Sequence, residues 1–169
     1  FDQLETVRSV GPFIRNEFRP IERLAAIAGA RYENLRFEAA DRFLGDGNDS
    51  GARTLDQLSY AGGLVLEART NLQFYANIST SFQTPTTTEL ANPTGGGGFN
   101  PALNPQTALN YEIGARSRLS RRLKVELALF LIEIDDELIP FTSATGRDFF
   151  RNAGRSERKG VELAVDLNL

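Results

Sequence analysis

Hydrophobic and polar residues alternate with a period of two along much of the chain, which is the pattern of β-strands. The clearest stretches are residues 71–82, 109–119 and 160–169, where apolar side chains fall on one face and polar side chains on the other. Residues 58–68 alternate as well, although their second face is small and mixed. These four segments predict strands with one apolar face.

Two earlier segments are predicted as strands on weaker patterns. Residues 6–19 alternate, but Phe13 falls on the face that otherwise carries charge. Residues 24–37 alternate around alanines, and their composition is equally suited to an amphipathic helix over 24–44. Both assignments, strand and helix, remain open for that segment.

The segment 123–137 is apolar but irregular. Its hydrophobic positions change phase between Leu131 and Ile132, which predicts a β-bulge, with a helix as the alternative. Together the segments give about seven strands of roughly 10 to 15 residues, longer than the usual strand of a soluble domain. Long strands that alternate throughout indicate a large barrel or an extended antiparallel sheet.

The connections between these strands alternate in length. The short ones are residues 20–23, 69–71 and 120–123, and the long ones are about 39–56, 83–107 and 138–150. Short turns at one end and long loops at the other are the layout of a transmembrane β-barrel. A soluble antiparallel sheet shows the same alternation when one face is solvated, so alternation alone does not separate the two.

Composition narrows the possible chemistry. The 169 residues include no cysteine and no histidine, which excludes disulfides, thiolate or imidazole catalysis and zinc sites built from those ligands. With 19 basic and 22 acidic residues there is no positive balance that favours nucleic acid. No apolar run approaches the roughly 18 residues of a transmembrane helix. We therefore predict neither an enzyme nor a nucleic-acid-binding protein.

Four blocks of sequence resemble the barrel region of TonB-dependent outer-membrane receptors. They are NLQFYANISTSFQTPTTTEL at 71–90, FNPALNPQTALNYEIG at 99–114, LALFLIEIDDELIPF at 127–141 and RNAGRSERKGVEL at 151–163. They stand in the order found in the family, with Gln106 where glutamate is usual. Because four blocks occur in order, the resemblance is specific, and it covers residues 71–169 best.

The resemblance implies an all-β antiparallel meander of about seven long strands from a transmembrane β-barrel. The family barrel has about 22 strands around a plugged lumen, so we expect residues 1–169 to be a single partial barrel domain without the plug domain and closing strands. The lack of an initiator methionine agrees with a piece of a longer protein. Isolated in water, such a sheet is expected to close on itself or to pair with a second copy.

The function implied by the resemblance is uptake of a scarce ligand, such as a ferric siderophore or similar chelate, in the bacterial outer membrane. The expected partners are outer-membrane lipid, the chelate, and, through the full-length protein, a plug domain and the TonB system. No cofactor is expected. The chain alone would not transport. The alternative is a soluble β-sandwich that binds, for example, carbohydrate.

Candidate site residues lie in the long loops. Phe99, Asn100 and Asn104 lie where the family gathers ligand contacts, and packing within the loop is the alternative. Asp46, Asn48 and Asp49 offer oxygen ligands of the kind that Ca²⁺ prefers. The final bidentate glutamate of a complete calcium loop is missing, so a flexible loop without metal is the favoured interpretation of this segment.

Overall fold

The computed structural model describes residues 2–45, 47–93, 97–144 and 146–168, which form eight β-strands joined by turns and loops. The strands are β1 (Gln3–Val10), β2 (Phe13–Ile21), β3 (Leu24–Asp41), β4 (Gly51–Arg69), β5 (Leu72–Gln83), β6 (Gln106–Arg118), β7 (Leu123–Thr142) and β8 (Asp148–Leu167). Among these residues there is no helix long and apolar enough to cross a membrane.

The strands make one antiparallel meander. From β3 to β8 each strand pairs with the next, while β1 and β2 lie end to end along the free edge of β3. The result is a single sheet, seven strands wide, whose edges do not meet. The predicted all-β meander of an incomplete barrel is therefore confirmed, with eight strands in place of about seven.

The extra strand comes from an interruption in the segment predicted as one strand over 6–19. Val10 pairs with Asn34 and Phe13 pairs with Arg31, so the register against β3 continues across the gap. At the gap Pro12 has no amide hydrogen to donate, although its carbonyl accepts a hydrogen bond from the backbone amide of Tyr32 at 3.1 Å. One amide that cannot donate thus divides an otherwise continuous strand.

The helix considered for residues 24–44 does not form, because β3 occupies Leu24–Asp41. This strand has hydrogen-bonded neighbours along both edges, β4 on one side and β1 with β2 on the other. The backbone bonds on both sides outweigh the weak helix preference of its alanines, which amounts to only tenths of a kcal/mol per residue.

The bulge predicted where the β7 pattern changes phase is also absent. Leu131 pairs with Lys159 and Ile132 with Arg158 in unbroken register. The change of phase has another cause: Ile134 is only 4% exposed on the inner face, and Leu138, farther along β7, packs against an apolar cluster there. The irregularity of β7 lies farther on, at Asp136, which has a φ of 56°.

The connections confirm the predicted asymmetry. Short turns occupy residues 22–23, 70–71 and 119–122 at one end of the sheet, and longer connections occupy 42–50, 84–105 and 143–147 at the other. The long connections are shorter than predicted, because the strands continue into them. At the last one, β7 and β8 form a hairpin with a five-residue turn in place of a loop over 138–150.

The outer face of the sheet carries an apolar band. Antiparallel partners share a face, so the pairing places one set of side chains together: Leu24, Ala26, Ala28, Ala30 and Tyr32 of β3, Leu58, Tyr60, Leu64 and Leu66 of β4, Phe74, Ala76 and Ile78 of β5, Tyr111, Ile113 and Ala115 of β6, Leu127, Leu129 and Leu131 of β7, and Val161, Leu163 and Val165 of β8. Most of the large ones are exposed, up to 68% for Leu163.

The height of the band suits a membrane. From Leu24 to Tyr32 the strand advances about 27 Å at about 3.4 Å per residue. At a tilt of about 40° this is about 20 Å of height, close to the roughly 25 Å apolar belt of outer-membrane barrels. Beyond Tyr32 the outward positions of β3 become polar, beginning with Asn34 and Arg36. An apolar surface of this extent is typical of a face that contacts lipid.

The inner face is polar, and in two places an aromatic ring covers a glycine on the neighbouring strand. The ring of Tyr75 lies over Gly114, and the ring of Phe130 lies over Gly160. In both pairs the residues are direct neighbours across the ladder. The missing side chain makes room for the ring, which packs against backbone and supports the wall from inside.

We expect Gly114→Ala to destabilise the sheet by about 1–3 kcal/mol, the usual cost of overpacking. A Cβ at Gly114 would overlap the Tyr75 ring and approach the Leu127 carbonyl oxygen to 2.7 Å. Gly62→Ala is the matched control, since its Cβ would meet only the Ile78 side chain at 3.8 Å. The urea midpoint of the circular dichroism signal in detergent measures both; equal midpoints for the two variants would contradict the ring packing.

Candidate functional site

The loop between β5 and β6, residues 84–105, begins with a hydrogen-bonded turn. The Glu89 carboxylate accepts hydrogen bonds from the backbone amide of Thr86 at 2.7 Å and from its hydroxyl at 3.1 Å, and the Thr86 hydroxyl accepts from the Glu89 amide at 3.3 Å. This reciprocal arrangement is a capping box. The turn closes with the Leu90 amide donating to the Thr86 carbonyl at 3.0 Å, which directs Leu90 to the sheet.

Loop β5–β6 packs on the inner face of the sheet through an apolar cluster. Leu90 and Leu103 are 0% and 1% exposed, and they contact Phe37 of β3 and Leu55 of β4. The partly buried members of the cluster are Leu35, Phe99, Leu138 and Phe150. This is the main buried core among the described residues, and it lies at the end of the sheet that carries the long loops.

Loop β5–β6 lies against β4 where β4 and β5 separate. Their pairing ends at Ala61 and Ser79, and beyond it the Thr80 hydroxyl accepts a hydrogen bond from the Tyr60 amide at 2.9 Å. Farther along β4 the Arg53 guanidinium donates to the carbonyl of Asn100 in the loop. Burial lowers the pKa of Arg53, which lies beyond the apolar band. The loop thus covers the part of β4 that β5 leaves unpaired.

The three predicted ligand contacts all lie in this loop, but each has a partner within the protein. Asn100 is 8% exposed, and its side-chain oxygen accepts from the Ala102 amide at 3.0 Å. Phe99 packs against the apolar cluster. Asn104 is exposed, and its backbone amide donates to the Asn152 side chain at 2.8 Å. Their role as ligand contacts stays a prediction, and Asn104 is the most accessible of them.

The predicted metal ligands lie in the loop between β3 and β4. Asp46 is outside the described residues. Asn48 accepts from the Ser50 amide at 3.0 Å through its side chain, and the Asp49 backbone amide donates to the Asp41 carboxylate at 3.1 Å. No group of three or more acidic side chains suited to a metal ion occurs among the residues that the structure describes. A metal site stays the less favoured hypothesis for this loop.

Asp41 anchors that loop beyond the apolar band. Its carboxylate accepts hydrogen bonds from the backbone amides of Asp49 and Phe43, which lower the pKa of Asp41. Phe43 and Leu44, which follow it, are exposed. The anchor therefore orders a short loop that presents two apolar side chains at the rim.

Near the short turns, the inner face carries a polar cluster that the sequence pattern alone does not single out. Glu126 accepts hydrogen bonds from Arg116 at 2.8 Å and from the Tyr75 hydroxyl at 3.0 Å, while the Arg116 guanidinium lies 4.6 Å from the centre of the Tyr75 ring. The cluster borders a cavity of about 430 Å³ that Lys124 and Asp166 also line. An inner wall of this kind faces a wet or plugged lumen.

The side chains that form the polar cluster, and those that hold loop β5–β6, give only a weak signal in the sequence. Arg116 and Glu126 are polar positions of alternating strands, but their pairing depends on the register between β6 and β7. Arg53 is 47 residues from its partner Asn100 in the loop, and Asn152 is 48 residues from its partner Asn104. Only the fold brings these side chains to the loop.

A meander of long strands with an apolar outer band and a polar inner face is the architecture of a membrane barrel wall. The family model described as "TonB dependent receptor-like, beta-barrel" matches residues 1–169. The chain belongs to this family, and the resemblance inferred from the four sequence blocks is confirmed. The family consists of transport receptors and not of enzymes.

Solved structures show the same fold. The ferric-catecholate import receptor Fiu from E. coli K12 has 20% identity and a TM-score of 0.75 over 99% of this chain and 26% of its own. The copper transporter OprC has 17% identity and a TM-score of 0.78, with 98% and 27% covered. The hemophore receptor HasR from Serratia marcescens has 16% identity and a TM-score of 0.74, with 98% and 32% covered. The chain thus spans about a quarter to a third of these proteins.

Proposed function

We propose that this chain is part of the barrel wall of a bacterial outer-membrane receptor that takes up a scarce ligand with energy from the TonB system. The observation that carries the proposal is the match of the barrel family model to all 169 residues. The apolar band supports contact with outer-membrane lipid. An open sheet seven strands wide encloses no pore, so the chain by itself is not transport-competent.

The proposed ligand is a ferric siderophore or a similar metal chelate. The related structures are described as a ferric-catecholate import receptor, a copper transporter and a receptor in complex with its hemophore and heme. Ferric catecholate, copper and heme are each a metal ion or a metal complex. We place the contact for the chelate at the long-loop end, where loop β5–β6 covers the inner face and presents Asn104.

The proposed partners within the receptor follow from the two faces. The polar inner cluster around Arg116 and Glu126 offers charges of both signs to a plug domain in the lumen. The TonB system would act through that plug. The free edges at β1 with β2 and at β8 would be covered by further strands, and a chain prepared alone in water would use them for self-association.

The soluble β-sandwich is not favoured. A sandwich packs two sheets face to face over a shared core, whereas the described residues form one sheet whose apolar face has no second layer over it. The family match points the same way. Carbohydrate binding by a separate soluble module therefore has no support from the fold.

The proposal is tested by uptake in a strain that lacks the gene for the full-length receptor. We expect the deletion to abolish uptake of one ⁵⁵Fe-labelled chelate from a panel of ferric catecholates, ferric hydroxamates and heme, and the intact gene to restore it. A receptor with residues 86–104 replaced by a glycine-serine linker is expected to insert normally without restoring uptake. Unchanged uptake of every iron chelate in the deletion strain would refute the iron proposal. The same uptake assay with labelled copper would show whether the ligand is copper.

A further inference from the structure

Asn152 of β8 joins loop β5–β6 to the hairpin of β7 and β8 at the long-loop end of the sheet. Its side-chain amide donates to the Asn104 carbonyl at 2.9 Å and to the Asp136 carbonyl at 2.8 Å, and its oxygen accepts from the Asn104 amide at 2.8 Å. One side chain therefore pairs with both backbone groups of Asn104, as a neighbouring strand would, and also holds β7. We name these three hydrogen bonds the Asn152 bracket.

The Asn152 bracket lies at a break in the hairpin of β7 and β8. Asp136 has a φ of 56°, and the pair formed by Asp136 and Gly154 is missing from an otherwise continuous ladder. A non-glycine residue in this conformation is uncommon and is retained where the surroundings hold it. Beyond the break, the hairpin tip comprises residues 137–153.

The hairpin tip is attached to the start of β6 and to loop β5–β6 by further contacts. The backbone amide of Leu138 donates to the Gln106 side chain at 3.1 Å. Leu138 and Phe150 pack against the apolar cluster that contains Leu90 and Leu103 of the loop. Gln106 acts only as an acceptor in this bond, so the glutamate that is usual at this position in the family would serve equally well.

The hairpin tip is itself ordered by contacts among aromatic rings and guanidinium groups. The rings of Phe141 and Phe149 are 6.2 Å apart, Arg147 lies 5.1 Å from the Phe149 ring, and Arg151 lies 5.7 Å from the Phe141 ring. Cation–π contacts of this kind fix the direction of an arginine. These contacts link the two strands of the tip next to the bracket.

We propose that Asn152 is a positioning residue that couples loop β5–β6 to the hairpin tip, so that the two segments keep one arrangement at the rim. The bracket satisfies both backbone groups of Asn104 at a point where the hairpin has lost its own pairing. Loss of the amide leaves the loop and the tip in contact only through the apolar cluster, so their relative arrangement loosens while the strands below remain paired. The coupling goes beyond the proposed function, but its effect on ligand binding rests on that function.

The coupling is tested by the distance between spin labels in the full-length receptor. Labels are placed at Ala102→Cys in the loop and Ala144→Cys in the hairpin turn, both exposed, and the chain has no cysteine of its own. We expect a narrow distance distribution in the parent and one at least about twofold broader in Asn152→Ala, because three hydrogen bonds are lost. Asn152→Asp keeps the shape and one acceptor but loses both donors, and it should broaden as well.

Asn77→Ala is the matched control, since Asn77 is exposed on the inner face and has no side-chain hydrogen bond to another described residue. It should leave the distribution unchanged. The folded form of each variant is checked by its heat-modifiable band, and Asn152→Asp serves if Asn152→Ala does not assemble. An unchanged width in an assembled Asn152 variant, or equal broadening in the Asn77 control, would overturn the coupling.

A binding arm separates this proposal from the proposed function. Once the uptake panel identifies the chelate, Asn152→Ala should weaken its binding about tenfold, the cost of ordering the loop anew on binding. If the wild-type receptor binds no chelate, the proposed function fails while the spin-label distances still decide the coupling. If the distribution broadens and affinity is unchanged, Asn152 does not position the ligand contacts.

Discussion

Ile78→Arg is expected to prevent assembly of the receptor in the outer membrane. Ile78 lies in the apolar band, and an arginine on the lipid face near the bilayer midplane costs about 2–4 kcal/mol. The neighbouring change Asn77→Arg places the same side chain on the inner face, where charged residues such as Glu112 already lie. It should assemble like the wild type. Membrane fractionation and the heat-modifiable band on gels measure both.

This pair compares one substitution at adjacent positions of β5, so propensity and charge are matched and only the face differs. If both arginine variants assembled equally well, the outer face would not contact lipid. If both failed, the inner face would be as dry as the outer one. Either result would contradict the barrel wall, since only opposite environments predict opposite outcomes.

Leu90→Ala is expected to release loop β5–β6 from the sheet. Leu90 is fully buried, and removal of a buried leucine side chain costs about 2–5 kcal/mol. The loss should stay local, because the strands are held by their own ladders. We expect hydrogen exchange of amides in residues 84–105 to rise while exchange in β5 and β6 stays slow, and ligand uptake to fall.

Leu44→Ala provides the control for this change. Leu44 is 64% exposed in the loop between β3 and β4, and surface truncations of this kind usually change stability by less than about 0.5 kcal/mol. Its exchange pattern should match that of the wild type. If the two variants had equal exchange in residues 84–105, the apolar cluster would not be what holds the loop.

The strands could be predicted because alternation is a local property of the sequence. The segments over 71–82, 109–119 and 160–169 fall within β5, β6 and β8 or extend past them by one or two residues. The helix alternative for β3 fails because of residues distant in sequence, the strands that pair with both of its edges. Ile134 is buried on an inner face that is polar elsewhere, so its apolar character suggests a bulge when only the local pattern is considered.

The candidate site was predictable only as a region. Family resemblance directs attention to loop β5–β6, but it gives no indication that Asn100 uses its side chain within the loop or that Arg53 holds it from β4. The sequence blocks also have a physical explanation that pattern matching does not supply. Thr86 and Glu89 build the turn that buries Leu90, and Asn152 reaches across to Asn104.

The most direct test of the account is the environment of successive residues on β5 in the full-length receptor. Nitroxide labels at Ala76, Asn77, Ile78 and Ser79 are compared for collision with oxygen, which concentrates in lipid, and with a water-soluble nickel complex. The register predicts oxygen access at Ala76 and Ile78 and nickel access at Asn77 and Ser79. Nickel access at all four positions would show a sheet in water and contradict the membrane barrel.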